Sequence, residues 1–342
     1  MANVTVAVLG LGRIGASVAL ALQRYNQRKE ARHTFEVTCA DMRIGVREDA
    51  SKIGLGDKIE RDLFTAASKR DIVVLALPLA EMQDVYKAIA ADMRAGAVVL
   101  DMSLLKQQSL EWAGKYLGSE VHMIGMTPIV NPKYLHDGLD DTSHAAADLF
   151  DKGSMLLMPT LRAAKEAIEL ASDFSGLLGA TPHFYDPVEH DGIVSLTEGL
   201  PALLGLASFY TATRSPGWID AQRVTNPSFG RLTHHMYDTH PDDLRDLLLK
   251  NGNSLVRQTD ELINTLKSLR DVIAAQDQAA LESALEEASD AYTTWINRRS
   301  NGKWDDTKSE PSGTSIAGQM MSGLMGGFLS KRLSGGKNGD DK

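Results

Sequence analysis

The chain has 342 residues, of which 43% are hydrophobic and 24% charged; this is the balance of an ordinary soluble globular protein of about two domains, and it excludes fibrous and wholly disordered classes. A formal net charge of −9 argues against a broad nucleic-acid or anionic-membrane surface, which needs clustered Lys and Arg, and leaves small molecules as the expected partners. The single cysteine, Cys39, has no intramolecular disulfide partner, so a reducing cytoplasm is the natural setting and core packing its expected role.

In chain order, residues 4–9 form an apolar strand (Val4, Val6, Val8) that runs into Gly10, Gly12 and Gly15 and then into an Ala/Leu-rich helix. The N-terminus lacks a basic region and a cleavage site, and its apolar residues are accounted for by this strand and helix, so no signal peptide is expected. Strand, glycine turn and helix together are the context a dinucleotide pyrophosphate needs: Gly10 for the tight turn, Gly12 for close backbone approach, Gly15 for helix–strand packing, and the helix N-terminus for the phosphate charge. A second strand, 35–40, ends at Asp41, placed to hold a ribose 2′-hydroxyl. The expected cofactor contacts are therefore Gly10, Gly12, Arg13, Ile14, Gly15, Asp41, Arg43 and Pro78. Asp41 favours NAD, since a carboxylate repels a 2′-phosphate, while Arg43 and Arg47 keep NADP open as the alternative.

Further apolar runs at 72–77, 98–101, 121–124 and 155–158, a helix at 161–178 and a strand near 181–185 alternate in βα fashion. The pattern predicts a Rossmann-type, doubly wound parallel sheet as the first domain, 1–187. From 188 to about 300 the strand signal vanishes and helices are expected at 242–249, 254–275 and 278–298, an all-α substrate and dimerisation domain. Ala279, Leu281, Leu285, Ala288, Ala291, Tyr292 and Trp295 make an apolar stripe at helical spacing, and so small a domain is expected to bury such stripes against a second subunit as a homodimer. The apolar runs 72–80 and 95–100 are far short of the roughly twenty residues of a membrane span, so no stable membrane association is expected. The tail, 301–342, is rich in Gly, Ser, Lys and Asp and reads as disordered. Within it, 316–333 carries Met320, Met321, Leu324, Met325, Phe328 and Leu329, an amphipathic pattern weakened by four interior glycines.

With a nucleotide domain ahead of a helical one, substrate belongs in the cleft at the carboxyl ends of the strands. The chemistry-bearing segments there are Pro78 with the residues just after it, Asp101-Met102-Ser103-Leu104-Leu105-Lys106, and Gly125-Met126-Thr127-Pro128-Ile129; the helical domain adds Glu189-His190-Asp191, residues 197–201 and Arg223. His234, His235 and His240 invite a metal reading. Adjacent histidines without an acidic or cysteine partner at ligand spacing argue against it, so no metal site is expected.

Order and spacing of these pieces resemble the prephenate/arogenate dehydrogenase family of tyrosine biosynthesis over about residues 4–304. Gly10 to Ala19 resembles the family's Gly-Leu-Gly-Leu-Ile-Gly-Gly-Ser-Leu-Ala, Val188 to Asp191 its Glu-Glu-His-Asp, and Asp101 to Lys106 its Asp-Val-Gly-Ser-Val-Lys. Thr127-Pro128-Ile129 stands where the family has His-Pro-Met, and Glu198-Gly199-Leu200-Pro201-Ala202 where it has Ser-His-Leu-Pro-His, so both cleft histidines are replaced. The resemblance implies NAD(P)-dependent oxidative decarboxylation of a carboxylate substrate. Thr127, Ser103, Lys106 and His190 are then the catalytic candidates, and Arg223 is the match for the substrate-carboxylate arginine. Two other readings stay open. One is a relative of the β-hydroxyacid dehydrogenases or imine reductases, suggested by Asp101-Met102-Ser103 but lacking their helix lysine within 196–213. The other is a regulatory protein that binds a dinucleotide without turnover, suggested by the missing histidines.

Overall fold

A computed structural model describes residues 2–137 and 141–302. The expected tail, with its amphipathic segment, lies outside the described residues.

The sheet has eight strands in the order β3-β2-β1-β4-β5-β6-β7-β8. They are β1 (Ala2–Leu9), β2 (His33–Ala40), β3 (Lys58–Glu60), β4 (Ile72–Leu75), β5 (Val98–Asp101), β6 (His122–Ile129), β7 (Ser154–Pro159) and β8 (Thr181–Phe184). Helices α1 (Arg13–Asn26), α2 (Ile44–Lys52), α3 (Leu63–Ala67), α4 (Leu79–Ile89), α5 (Lys106–Tyr116) and α6 (Lys165–Leu178) connect and cover them. Side chains alternate between the faces: Val6 and Val8 join one buried cluster with residues of α1 and α6, while Ala7 and Leu9 join another with residues of α3, α4 and α5. Burial on both faces is why the strands read as continuous apolar runs.

The strand order reverses between β1 and β4, which leaves a crevice at their carboxyl ends, the place where sheets of this kind bind ligands. Two details depart from the sequence expectation of a parallel sheet. First, β6 and β7 pair antiparallel, Thr127 opposite Leu156. A parallel return needs a crossover of a dozen or more residues, usually a helix, and the described residues between these strands form only short 3₁₀ turns, Pro132–Tyr134 and Thr142–His144. Second, β6 continues through Thr127-Pro128-Ile129, which composition read as a loop. Beyond Gly125 it pairs only with β7, and a strand flanked on one side tolerates a proline. Strand β3 was not expected, being three residues of a polar edge.

Past Phe184 the described residues contain no strand. They form α7 (Pro187–Val194), a π-helical turn (Ser195–Gly199), α8 (Leu200–Thr213), α9 (Trp218–Ala221), α10 (Pro227–Thr233), α11 (His235–Asp238), α12 (Pro241–Lys250), α13 (Gly252–Ala274) and α14 (Gln278–Asn301). Residues 187–213 make one continuous helix, long and apolar enough by length and composition to cross a membrane. It was not apparent as an apolar run because Glu189, His190, Asp191 and Glu198 interrupt its start. Ile193, Leu196 and Tyr210 on it are exposed. Two compact units are present, one through Leu255 and one from Val256 onward. In the second, Leu285, Tyr292 and Trp295 of the expected stripe are exposed, and the last two rings meet edge to face at 5.3 Å.

The glycine turn is sterically closed. Gly10 has φ +90°, and a Cβ there would sit 2.2 Å from the Ala76 carbonyl oxygen; one on Gly15 would sit 1.9 Å from that of Gly10. Gly176 in α6 has nothing within 4 Å. Gly15→Ala is therefore expected to lower stability by about 1–3 kcal/mol, whereas Gly176→Ala raises it by about 0.4–1 kcal/mol through the unfolded chain. Urea unfolding midpoints of the full chain measure both.

Candidate active site

Backbone and carboxylate together build the nucleotide end. Gly12 caps α1 without a side chain, which leaves the first-turn amides of that helix available to an anion. Asp41, buried at the end of β2, accepts from the Leu11 amide (3.0 Å) and so ties the glycine turn to the neighbouring strand. Arg43 forks onto the same carboxylate, Nε to Oδ1 at 3.0 Å and an Nη to Oδ2 at 2.9 Å, while its amide donates to Oδ1 at 2.9 Å. Burial would raise the Asp41 carboxyl, but Arg43 and the two amides outweigh it and hold the group below the ordinary range. Arg47 is turned onto the carbonyls of Asp41 and Met42 (2.7 and 2.8 Å). Around Arg43 the field is acidic, since Asp41, Glu81 and Asp243 all act on its guanidinium. Arg13, nearly buried, pairs with Asp137 at 3.0 Å and lies over the Tyr134 ring, which closes the turn from the β6–β7 side. Ile14 stands in the first turn of α1, and Pro78 caps α4 at the opposite lip of the crevice.

Behind this, at the end of β5, lies a buried polar knot. Asp101 accepts from Tyr86 Oη (2.7 Å), from Ser109 Oγ and from the Ser103 amide (2.7 Å). Lys106 is fully buried; its Nζ donates to the carbonyls of Asp101 (2.9 Å) and Ser103 and stands 3.8 Å from Asp101 Oδ1. Burial pushes the ammonium's pKa down, with Asp101 and Asp191 opposing it. The lysine stem passes under β6, where a Cβ on Gly125 would lie 3.1 Å from its Cδ. The ammonium is thus tied to backbone carbonyls, and Ser103 Oγ is turned toward the Leu105 carbonyl at 3.4 Å.

Helix α7 reaches this knot through Asp191. Its carboxylate accepts from the amides of Lys106 (2.8 Å) and Gln107 (3.0 Å), the first turn of α5, and from His190 Nδ1 (2.9 Å). Asn251 Nδ2 donates to its carbonyl. Burial would raise the Asp191 carboxyl, but His190 and the α5 amides hold it low. Because the partner is a carboxylate, His190 Nδ1 carries the proton and Nε2 the lone pair. His190 is fully buried, and its Nε2 has no hydrogen-bond partner; the same holds for Thr127 Oγ1 on β6 and Ser195 Oγ in the π-helical turn. Buried polar atoms left this way are uncommon; a bound water, an ion, a ligand or a chemical role accounts for them. Thr127, Lys106 and His190 are linked through adjoining elements: Thr127 lies two residues beyond Gly125, which lies on Lys106, whose amide is bonded to Asp191.

Further along the same helix, in the π-helical turn, Glu198 is solvent-accessible. Arg223 is not brought to this cluster. It sits on an exposed 3₁₀ turn (Gln222–Val224) and makes no side-chain hydrogen bond or ion pair among the described residues. Sequence reading named Asp191 only within Glu189-His190-Asp191 and gave it no role of its own. It missed Asp101 as the anchor for Lys106, and Ser195, for which no local signal exists.

The profile of the prephenate dehydrogenase nucleotide-binding domain matches residues 18–182, and that of the prephenate dehydrogenase dimerization domain matches residues 186–287. Among curated proteins, cyclohexadienyl dehydrogenase of Zymomonas mobilis is 27% identical over 280 residues, covering 80% of this chain and 89% of its own. Prephenate dehydrogenase of Bacillus subtilis is 23% identical over 304 residues, covering 87% and 77%. Among solved structures, prephenate dehydrogenase from A. aeolicus in complex with hydroxyphenyl propionate and NAD+ superposes with a TM-score of 0.70 at 19% identity, covering 86% of this chain and 98% of that one. With both domains matched in order, the chain belongs to the prephenate dehydrogenase family and is a dehydrogenase built on a nucleotide-binding domain followed by a dimerization domain.

Proposed function

We propose that the protein oxidatively decarboxylates a prephenate-type cyclohexadienol, prephenate or arogenate, with NAD as acceptor, in tyrosine biosynthesis. The observation that carries this reading is the buried His190–Asp191 pair with its unpartnered Nε2. NAD, when bound, would accept the hydride from the ring carbon that bears the hydroxyl. The steric closure at Gly10 and Gly15, the uncapped α1 amides and Asp41 fit the dinucleotide, and the carboxylates around Arg43 favour a free 2′-hydroxyl over a 2′-phosphate.

In the proposed site His190 Nε2 takes the proton of the ring hydroxyl, and Asp191 fixes the tautomer and stabilises the imidazolium that forms. Thr127 Oγ1 and Ser195 Oγ supply hydrogen bonds to the substrate in place of the family's two cleft histidines. Lys106 and Ser103 act as positioning residues: they hold the β5–α5 turn whose first amides orient Asp191. Arg223, on its exposed turn, is proposed to bind substrate carboxylate. The boundary between domains is proposed at Pro187, where the last strand gives way to the long helix. Residues 187–213 and the exposed faces of α13 and α14 are proposed to be covered in a homodimer, which accounts for their apolar surface without a membrane. The cytoplasm, with its reducing conditions, suits the buried thiol of Cys39.

Adding prephenate or arogenate and NAD to the purified chain should produce NADH; silence with both substrates at high enzyme concentration overturns the reading. His190→Asn should lower kcat by about 10²- to 10⁴-fold with NAD binding by calorimetry unchanged. An equal loss of cofactor binding would assign His190 a structural role instead. Asp41→Asn should move the NADP-to-NAD ratio of kcat/KM upward by about tenfold, roughly 1.4 kcal/mol, as steady-state kinetics with the two cofactors will show.

A further inference from the structure

We propose that His234, His235 and Asp238 form a binding site for a zinc-class divalent cation, with water completing the coordination. One ring nitrogen of each histidine and one carboxylate oxygen of Asp238 already lie within 4.8 Å of one another, all three residues being half-buried. Sequence spacing had argued against this, because two adjacent histidines without an acidic partner cannot share an ion easily. The fold supplies what spacing did not show. Asp238 stands at the end of α11, one turn beyond the pair, and the two rings lie with centroids 3.9 Å apart, tilted by 37°, so both face the same way.

The outer contacts fit a ligand role. His234 Nδ1 is 2.7 Å from the Arg231 carbonyl; a carbonyl only accepts, so Nδ1 holds the proton and Nε2 presents its lone pair. A carbonyl bonded to one nitrogen of a metal-binding imidazole is the usual second contact of such histidines. Tetrahedral zinc at about 2.0–2.2 Å from nitrogen and oxygen keeps its ligand atoms about 3.3 Å apart, a spacing inside the 4.8 Å span of the existing cluster.

The segment that carries the cluster is packed on the long helix: a Cβ on Gly205 of α8 would lie 2.4 Å from the Leu232 carbonyl oxygen. Two imidazoles and a carboxylate, with water completing the shell, suit zinc and its transition-metal neighbours; calcium and magnesium prefer sites built from oxygen alone. Nothing in this depends on turnover, so its failure and the failure of the dehydrogenase reading are separately visible.

The test uses the full chain, stripped with a chelator and then titrated with zinc by calorimetry and metal analysis, and separately loaded with cobalt for visible spectroscopy. Expected are one zinc per chain, the intense visible bands of four-coordinate cobalt, and a raised melting temperature with metal. His235→Asn and Asp238→Asn should each weaken binding by at least about tenfold. His144→Ala, which removes an exposed histidine beside Asp141, should bind as the unaltered chain does. The proposal fails if the unaltered chain takes up no zinc, if uptake survives unchanged in folded His235→Asn and Asp238→Asn, or if cobalt shows only the weak bands of six-coordinate surface binding. The cobalt spectrum of the unaltered chain decides the matter even if a variant misfolds.

Discussion

The arrangement turns on the carboxylate of Asp191. Helix α5 begins at Lys106 with Leu105 in the capping position, and a leucine side chain has nothing to offer the free amides of a first turn. Asp191 supplies the missing cap from a helix 85 residues further along the chain, placing a negative charge where the helix dipole favours it. The same oxygen that receives the Lys106 amide receives His190 Nδ1. One group thus fastens the first helix of the 187–213 stretch to the sheet region and sets the orientation of the imidazole beside it. Removing it would leave α5 uncapped and His190 free to change tautomer, so stability and site geometry are coupled at this residue.

Around it, charge is handled by pairing. Lys106 and Asp101 are both excluded from water, and neither would survive there alone, because a buried unpaired ion costs several kcal/mol. Together with Tyr86 and Ser109 they form a closed set in which the Asp101 carboxylate has its donors and the ammonium has carbonyl acceptors. That closure explains why the lysine, though it stands where the family motif has one, does not reach into the crevice. His190 Nε2, Thr127 Oγ1 and Ser195 Oγ contrast with this closed set, for they are buried and have no hydrogen-bond partner among the described residues.

Much of the nucleotide end was legible in the sequence, because each requirement there is local. A tight turn needs Gly10, a helix against a strand needs Gly15, and an acid at the end of β2 is a fixed distance along the chain. What escaped was non-local. The reversal of β7 depends on the absence of a crossover helix among the described residues between 130 and 153, and β6 was cut short because Pro128 reads as a strand breaker unless one knows that β5 no longer flanks it. Lys106 was visible as a residue and not as a buried one, since its burial comes from β6 passing over it. His190 was singled out, yet its role depends on Asp191 meeting α5, a contact no window along the chain contains. The tail, expected to be disordered, lies outside the described residues.

The π-helical turn from Ser195 to Gly199 gives the replaced cleft histidines a physical setting. A π turn inserts an extra residue into a helix and rotates the residues beyond it, and such turns recur at functional sites. Here it lies between His190 and Leu200, on the segment where the family pattern carries Ser-His. Gly199 has no side chain, and a Cβ there would stand in ordinary contact distance, 3.4 Å from Leu255 and 3.9 Å from Ser195 Oγ. Ser195 Oγ, one turn earlier, is buried and has no hydrogen-bond partner among the described residues. The π turn thus sets a buried hydroxyl and a position without a side chain on one turn of the helix, between the His190–Asp191 pair and α8.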